Sequence, residues 1–207
     1  MWTIDPHPDL RLLRLEASWP RPLGEESPDW LKPLGHLDAK QPFEPPDDAH
    51  KQTVRDLLRH GGFKPAGRSK PCWEYLTAMT RKGRFPWINP AVDATNLAAL
   101  HGALPISTID CDKVTGPFRV ALGPAGASYV FNRSGQTIDV TGLVCLFDQQ
   151  GPCANPVKDA QRSKTDSATR RTLTLVWGTE RLPERTDTAA QWLRELFERC
   201  GAEVVVT

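Results

Sequence analysis

At 207 residues, with 39% hydrophobic and 25% charged residues, the chain has an ordinary globular composition and the length of one domain or two small lobes sharing a core. Lys and Arg (26) against Asp and Glu (25) give a formal charge of +1, which excludes a uniformly basic nucleic-acid binder but leaves room for a local patch. No apolar run approaches the ~18 residues of a membrane span, the N-terminus lacks a signal-peptide pattern, and five cysteines without CxxC spacing argue for reduced thiols in a cytoplasm rather than disulfides or a zinc site.

In chain order, Trp2–Ile4 reads as a short strand and Leu10–Leu15 as another. Residues 24–48 carry seven acids against Lys32 and Lys40 and several prolines, which predicts a solvated connection with one short helix. Asp47 or Asp48 caps a helix with Val54, Leu57 and Leu58 at helical spacing, ended by Gly61-Gly62. A basic segment, Lys64–Arg84, contains a helix that starts at Pro71, runs through Trp73, Leu76 and Met79, and stops at Gly83.

The block Ile88–Lys113 carries the most information. Asn89 is a good N-cap, Pro90 suits the first helical position, and Asp93 falls in the first turn, where the helix dipole favours a carboxylate. Val92, Leu97 and Leu100 form an apolar face, and Gly102 is the expected stop. Leu104-Pro105 follows as a short apolar run, and Asp110–Lys113 as a polar loop delivered by the helix.

Beyond Lys113 the period changes. Phe118–Leu122, Ser128–Phe131, Leu143–Phe147 and Leu173–Trp177 read as strands, followed by a helix from about Asp187 to Arg199 and a strand Glu203–Val206. Helices first and strands second point to an α+β domain.

Familiar catalytic signatures (GxSxG, GxxxxGK[ST], HExxH) are absent. His101 next to Gly102 reads as a cation at a helix C-terminus rather than a catalytic group. Cys111, flanked by Asp110 and Asp112, should have its thiolate suppressed. The two aspartates lack a third oxygen ligand, so a salt bridge from Asp112 to Lys113 or another basic neighbour is expected rather than a metal.

Two basic stretches remain. In Lys64–Arg84, cations interleave with Phe63, Trp73 and Tyr75, which suits an RNA strand; equally, Trp73 and Leu76 can be core residues with the cations simply solvated. Lys158–Arg171 combines cations with Ser163, Thr165, Ser167 and Thr169, which can meet phosphate or ribose; alternatively its Thr-Asp-Ser turn caps the following strand.

The pattern Asn89-Pro90-x-x-Asp93-x-x-Asn96, then Leu104-Pro105, then Asp110-x-Asp112-Lys113 resembles the B3/4 tRNA-binding and editing domain of the phenylalanyl-tRNA synthetase beta subunit. It is more similar still to freestanding B3/4 proteins, through Ile4-Asp5-Pro6, Phe63-Lys64-Pro65, Arg68-Ser69-Lys70, Trp73–Leu76 and Asp166–Leu173. The resemblance implies a B3/4-like α+β fold in β/β/α layers, with helices preceding a predominantly antiparallel sheet. It spans the chain as one unit, with 1–62 an N-terminal extension and helix, 63–180 the core, and 181–207 a C-terminal helix and strand.

The resemblance also implies a pocket that receives a mischarged tRNA 3′ end and hydrolyses its aminoacyl ester in trans, in the cytoplasm, with no cofactor and no metal. Such a site orients a water and stabilises an oxyanion. By the same resemblance Ser107, Asp110, Arg162 and Thr165 form the catalytic set. Arg68, Lys70, Trp73, Asn89, Asn96, Lys113 and Lys164 would hold RNA or substrate. Two departures stand out: Ser107 where the synthetase domain has a histidine, and Gln161-Arg162 where it has a glutamate. A non-catalytic module holding tRNA or an amino-acid-like molecule is the alternative. Aminoacylation itself is not expected, since the length leaves no room for a synthetase catalytic domain and no ATP-binding signature is present.

Overall fold

The computed structural model describes all 207 residues. Its centre is the nine-residue strand β9 (Arg171–Thr179), in which every residue but the first is buried. β9 lies between β2 (Leu10–Ser18) and β3 (Ile106–Asp110), with β10 (Glu203–Val206) beyond β2, in an entirely antiparallel sheet ordered β10-β2-β9-β3. A second sheet has the order β1 (Trp2–Ile4), β4 (Phe118–Leu122), β7 (Val144–Asp148), β8 (Gly151–Ala154), with β1 parallel to β4 and the other pairs antiparallel. β5 (Ser128–Val130) and β6 (Thr137–Asp139) form a separate hairpin.

Alternation along β9 explains the layering, because neighbouring side chains of a strand point to opposite faces. Leu173, Leu175 and Trp177 pack with Val120, Val144, Leu146 and Cys153 of the second sheet. Val176 turns the other way and joins a core with Leu97, Leu100, Leu193 and Phe197. Those residues belong to α3 (Pro90–Gly102) and α4 (Pro183–Arg199), which cover the first sheet. The order is therefore sheet, sheet, helices, and the fold is α+β. α1 (Asp48–Arg59) places Leu57 and Leu58 against Ile138, Val140 and Leu143, while α2 (Cys72–Thr80) packs on α3. No helix is long and apolar enough to cross a membrane.

Several sequence expectations change. β1 and β2 open the chain where the sequence placed strands, but β2 runs on to Ser18 and sits inside the main sheet. The expected short helix in 24–48 is a 3-10 helix, Asp29–Gly35. β6 and β8 were not anticipated, being short and poorly alternating, and α4 starts four residues before the expected Asp187, at Pro183. Gly102 does not step out of α3. It stays helical, where a Cβ would lie 3.4 Å from that of Ala189, and Ala103 takes the left-handed conformation (φ 49°) instead.

Candidate functional site

The largest addition concerns the residues after Leu104-Pro105, to which the sequence assigned no element. Ile106–Asp110 form β3, paired along its whole length with β9 and buried at all five positions, so the expected polar loop Asp110–Lys113 begins inside a strand and continues as a 3-10 turn, Cys111–Lys113. Thr108 faces the helices, where its hydroxyl joins those of Thr95 (2.6 Å) and Thr174 (2.8 Å). Ser107 therefore faces the second sheet. Its Oγ accepts Trp177 Nε1–H at 2.9 Å and donates to the Asn155 carbonyl at 3.1 Å, leaving the residue 2% exposed.

Asn155 begins a tightly tied loop after β8. Its Oδ1 accepts the N–H groups of Val157 (2.7 Å) and Lys158 (2.8 Å), and its Nδ2 donates to Tyr129 Oη. The Tyr129 hydroxyl donates onward to Lys158 O at 2.6 Å, and Pro156 O accepts the Cys72 N–H at 3.0 Å. This web fixes Asp159, whose Oδ1 accepts the Asn155 N–H at 3.2 Å. Burial drives the Asp159 carboxyl up to about 6, against the lowering effects of the Ser107 hydroxyl, the Asn155 N–H and the Lys164 charge. A carboxyl raised towards neutrality by its surroundings is suited to exchanging a proton near neutral pH.

Cations stand around it. Lys164 continues alongside β3 through a bridge with Ile109 and donates to Phe131 O at 2.6 Å. The Lys158 ammonium lies 4.2 Å from the centroid of the Phe131 ring. Burial lowers the pKa of both lysines; the charges of Arg68 and Lys164 lower that of Lys158 further, whereas Asp159 opposes the shift at Lys164. A carboxylate, a fixed hydroxyl, two lysines and an aromatic ring thus gather where β3, the β8–β9 connection and the β5–β6 hairpin converge, with the Arg68 charge, just before α2, near enough to act on Lys158. The arrangement can activate a water and hold an anionic group beside it.

The other sequence-predicted residues fall elsewhere. Asp110 is 3% exposed and accepts the Thr169 hydroxyl (2.6 Å) and the Asp112 N–H (2.9 Å). Lys113 donates to Lys164 O (2.7 Å) and Asp166 (2.6 Å), and Asp112 pairs with Arg171 at 2.6 Å rather than with Lys113. Asn89 caps α3 through Val92 N–H and donates to the Thr165 hydroxyl at 3.1 Å. These residues clamp the loop 164–169 onto the end of β3. Arg162 is directed away, into two bonds with the fully buried Asp148 carboxylate (2.6 and 2.8 Å) and one with Gly151 O. Trp73 is 5% exposed and belongs to the core, not to a stacking surface. Lys70 is exposed, and Asn96 is half-buried on α3.

His101 also departs from expectation. It is buried and bonded to Leu34 O at 2.8 Å, and burial lowers its pKa, so it is a neutral core histidine. All five cysteines are free, and burial first, then the neighbouring acids, pushes Cys111 up to about 12. Sequence reasoning missed Asp159, Asn155, Tyr129, Phe131 and Trp177. One signal was available: Asp159 is the sole acid between Gly151 and Thr165, inside a basic stretch and just after an Asn-Pro turn. A cavity of about 560 Å³ lies apart from this cluster, lined by Asp5, His7, Leu10, Arg119 and Phe147.

A family model described as the B3/4 domain matches residues 67–181 of this chain. Among solved structures, an N-terminal fragment of the phenylalanyl-tRNA synthetase beta-subunit from Pyrococcus horikoshii aligns with a TM-score of 0.47 and 12% identity, over 55% of this chain and 40% of that one. The chain thus spans less than half the length of that structure. No curated protein matches.

Proposed function

This chain belongs to the B3/4 domain family, and from that premise we propose that it binds tRNA and deacylates mischarged aminoacyl-tRNA in trans. The observation that carries the reading is the Asp159 carboxylate, held beside the Ser107 hydroxyl and within the influence of Lys164. Asp159 takes a proton from a water, whose oxygen adds to the ester carbonyl. The bond to the ribose oxygen then breaks, and that oxygen recovers the proton from Asp159. The ester is already activated, so a modest base and cationic stabilisation of the oxyanion suffice.

Lys158, Lys164 and Arg68 receive the phosphates of the RNA 3′ end. Ser107 is a positioning residue, since its hydroxyl is sealed between Trp177 and Asn155. Asp110, Thr165, Asn89 and Lys113 support the site by holding the loop that carries Lys164.

A panel of mischarged tRNAs tests the reading. At least one should lose its amino acid faster than in buffer, and Asp159→Asn should reduce that rate ~10²–10⁴-fold, the usual contribution of a general base. If no member of the panel is deacylated, the hydrolase reading fails. Retained tRNA binding would then favour the non-catalytic module, to which the sealing of Ser107 and the diversion of Arg162 already lend weight.

A further inference from the structure

The site around Asp159 uses only the first part of the basic segment singled out in the sequence. Arg81, Lys82 and Arg84, at the far end of α2, are all exposed. Glu74 is the sole acid between Lys64 and Val92, and it is occupied by Arg55 at 2.7 Å. Nothing on the helix therefore neutralises the three cations.

Their placement is fixed by the way α2 closes. Arg81, Lys82 and Gly83 donate backbone N–H bonds to the Thr77, Met79 and Thr80 carbonyls, Gly83 adopts φ 68°, and Arg84 returns its N–H to Met79 O. The helix dipole favours cations at this end. It does not account for what lies in line with them. Tyr75 is 61% exposed, and Tyr75, Ala78 and Lys82 follow one another along the solvent face at helical spacing. At the opposite end, the Cys72 N–H docks on Pro156 O, and Arg68 acts on Lys158. A nine-residue helix is about 13 Å long, close to four stacked nucleotides at roughly 3.4 Å each.

We infer that the exposed face of α2, from Arg68 past Tyr75 to Arg81, Lys82 and Arg84, is a second RNA-binding surface that grips the phosphates of the acceptor stem while the 3′ end lies at Lys158 and Lys164. The inference rests on the tRNA reading above. Tyr75 offers a face for a base or ribose on the way, and the three terminal cations meet the duplex backbone, a contact that carries affinity without sequence preference.

The test titrates deacylated bulk tRNA against the full chain and the triple variant Arg81→Glu, Lys82→Glu, Arg84→Glu between about 50 and 200 mM salt. The charge-preserving Arg81→Lys, Arg84→Lys variant serves as control, and thermal melting confirms folding. The triple variant should bind at least ~10-fold more weakly at the lower salt, and the slope of log K against log salt should fall by about 2–3, with the lysine variant close to wild type. A triple variant that melts normally and keeps both the affinity and the slope overturns the second surface alone. A wild-type chain that shows no salt-dependent tRNA binding overturns the tRNA reading itself, and this inference with it.

Discussion

Arg162 meets Asp148 through two hydrogen bonds of 2.6 and 2.8 Å, and the aspartate side chain is completely buried beneath it. The pair closes the β7–β8 turn, where Arg162 also reaches Gly151 O and Asp148 accepts the Gln150 N–H. An arginine at this position in the sequence suggests substrate contact; in the fold it is a structural clamp. The Asp148 carboxyl stays below its ordinary pKa because Arg162 and the backbone N–H groups outweigh its burial.

Removing the guanidinium would leave a buried carboxylate unpaired. Arg162→Ala should therefore lower stability by about 3 kcal/mol in urea unfolding, the low end for breaking a buried pair, since Arg162 retains some exposure. A variant as stable as wild type but devoid of deacylation would return Arg162 to the substrate.

The Asp159 carboxyl has a folded-state pKa of about 6, above the ~3.9 of an unfolded aspartate. Between these values the folded chain binds more protons than the unfolded one, so stability falls as pH rises through that window and stays lower above it. Asp159→Asn keeps an acceptor for the Asn155 N–H while removing the charge. It should gain on the order of 1–2 kcal/mol at pH ~7.5 relative to wild type, with no gain below pH ~4. Deacylation by wild type should rise tenfold per unit to about pH 6 and then level. A rate independent of pH from 4 to 8 would remove Asp159 from the chemistry.

Ser107 Oγ is the acceptor for the indole N–H of Trp177, a fully buried residue. Ser107→Ala should cost about 1–3 kcal/mol, the penalty of stranding that donor. Trp177→Phe combined with Ser107→Ala should cost less than the two single changes summed, and strict additivity in such a cycle would show that the bond is not what Ser107 contributes.

Gly178 permits the crossing of β9 and α4: a Cβ there would stand 2.1 Å from Thr186 Cγ2 and 2.3 Å from its Oγ1. Gly178→Ala should destabilise by about 3 kcal/mol through overpacking. Adding Thr186→Ala, which removes the two nearest atoms but leaves the Thr186 Cβ position at 2.7 Å, should recover part of the loss. A thermal melt of Gly178→Ala equal to wild type would mean that α4 shifts freely on the sheet.

The elements legible in the sequence were those whose determinants are local. Asn89 and Pro90 start α3 wherever the chain goes, because the cap bonds Val92 three residues on. Asp47 caps α1 through the His50 N–H in the same way. β3 was hidden for the opposite reason. Ile-Ser-Thr-Ile-Asp is short and half polar, and it becomes a buried strand because Thr108 finds Thr95 and Thr174 while Ser107 finds Trp177 and Asn155. Those partners lie on α3, on β9 and in the loop after β8.

What the sequence determined by itself, then, is a family pattern and a set of caps and faces, since hydrogen bonds and periodicities within one turn need no distant neighbour. Tertiary structure decided which polar groups are spent on internal contacts and which carboxyl is shifted by its surroundings. Arg162, Asp110 and Lys113 are held by internal partners, and Trp73 lies in the core, whereas Asp159, one acid in a basic stretch, is packed against Ser107 and shifted towards neutrality. Desolvation and the field of neighbouring charges are properties of the packed interior, so a carboxylate's readiness to take a proton is settled only when β3, β9 and the Asn155–Asp159 loop come together.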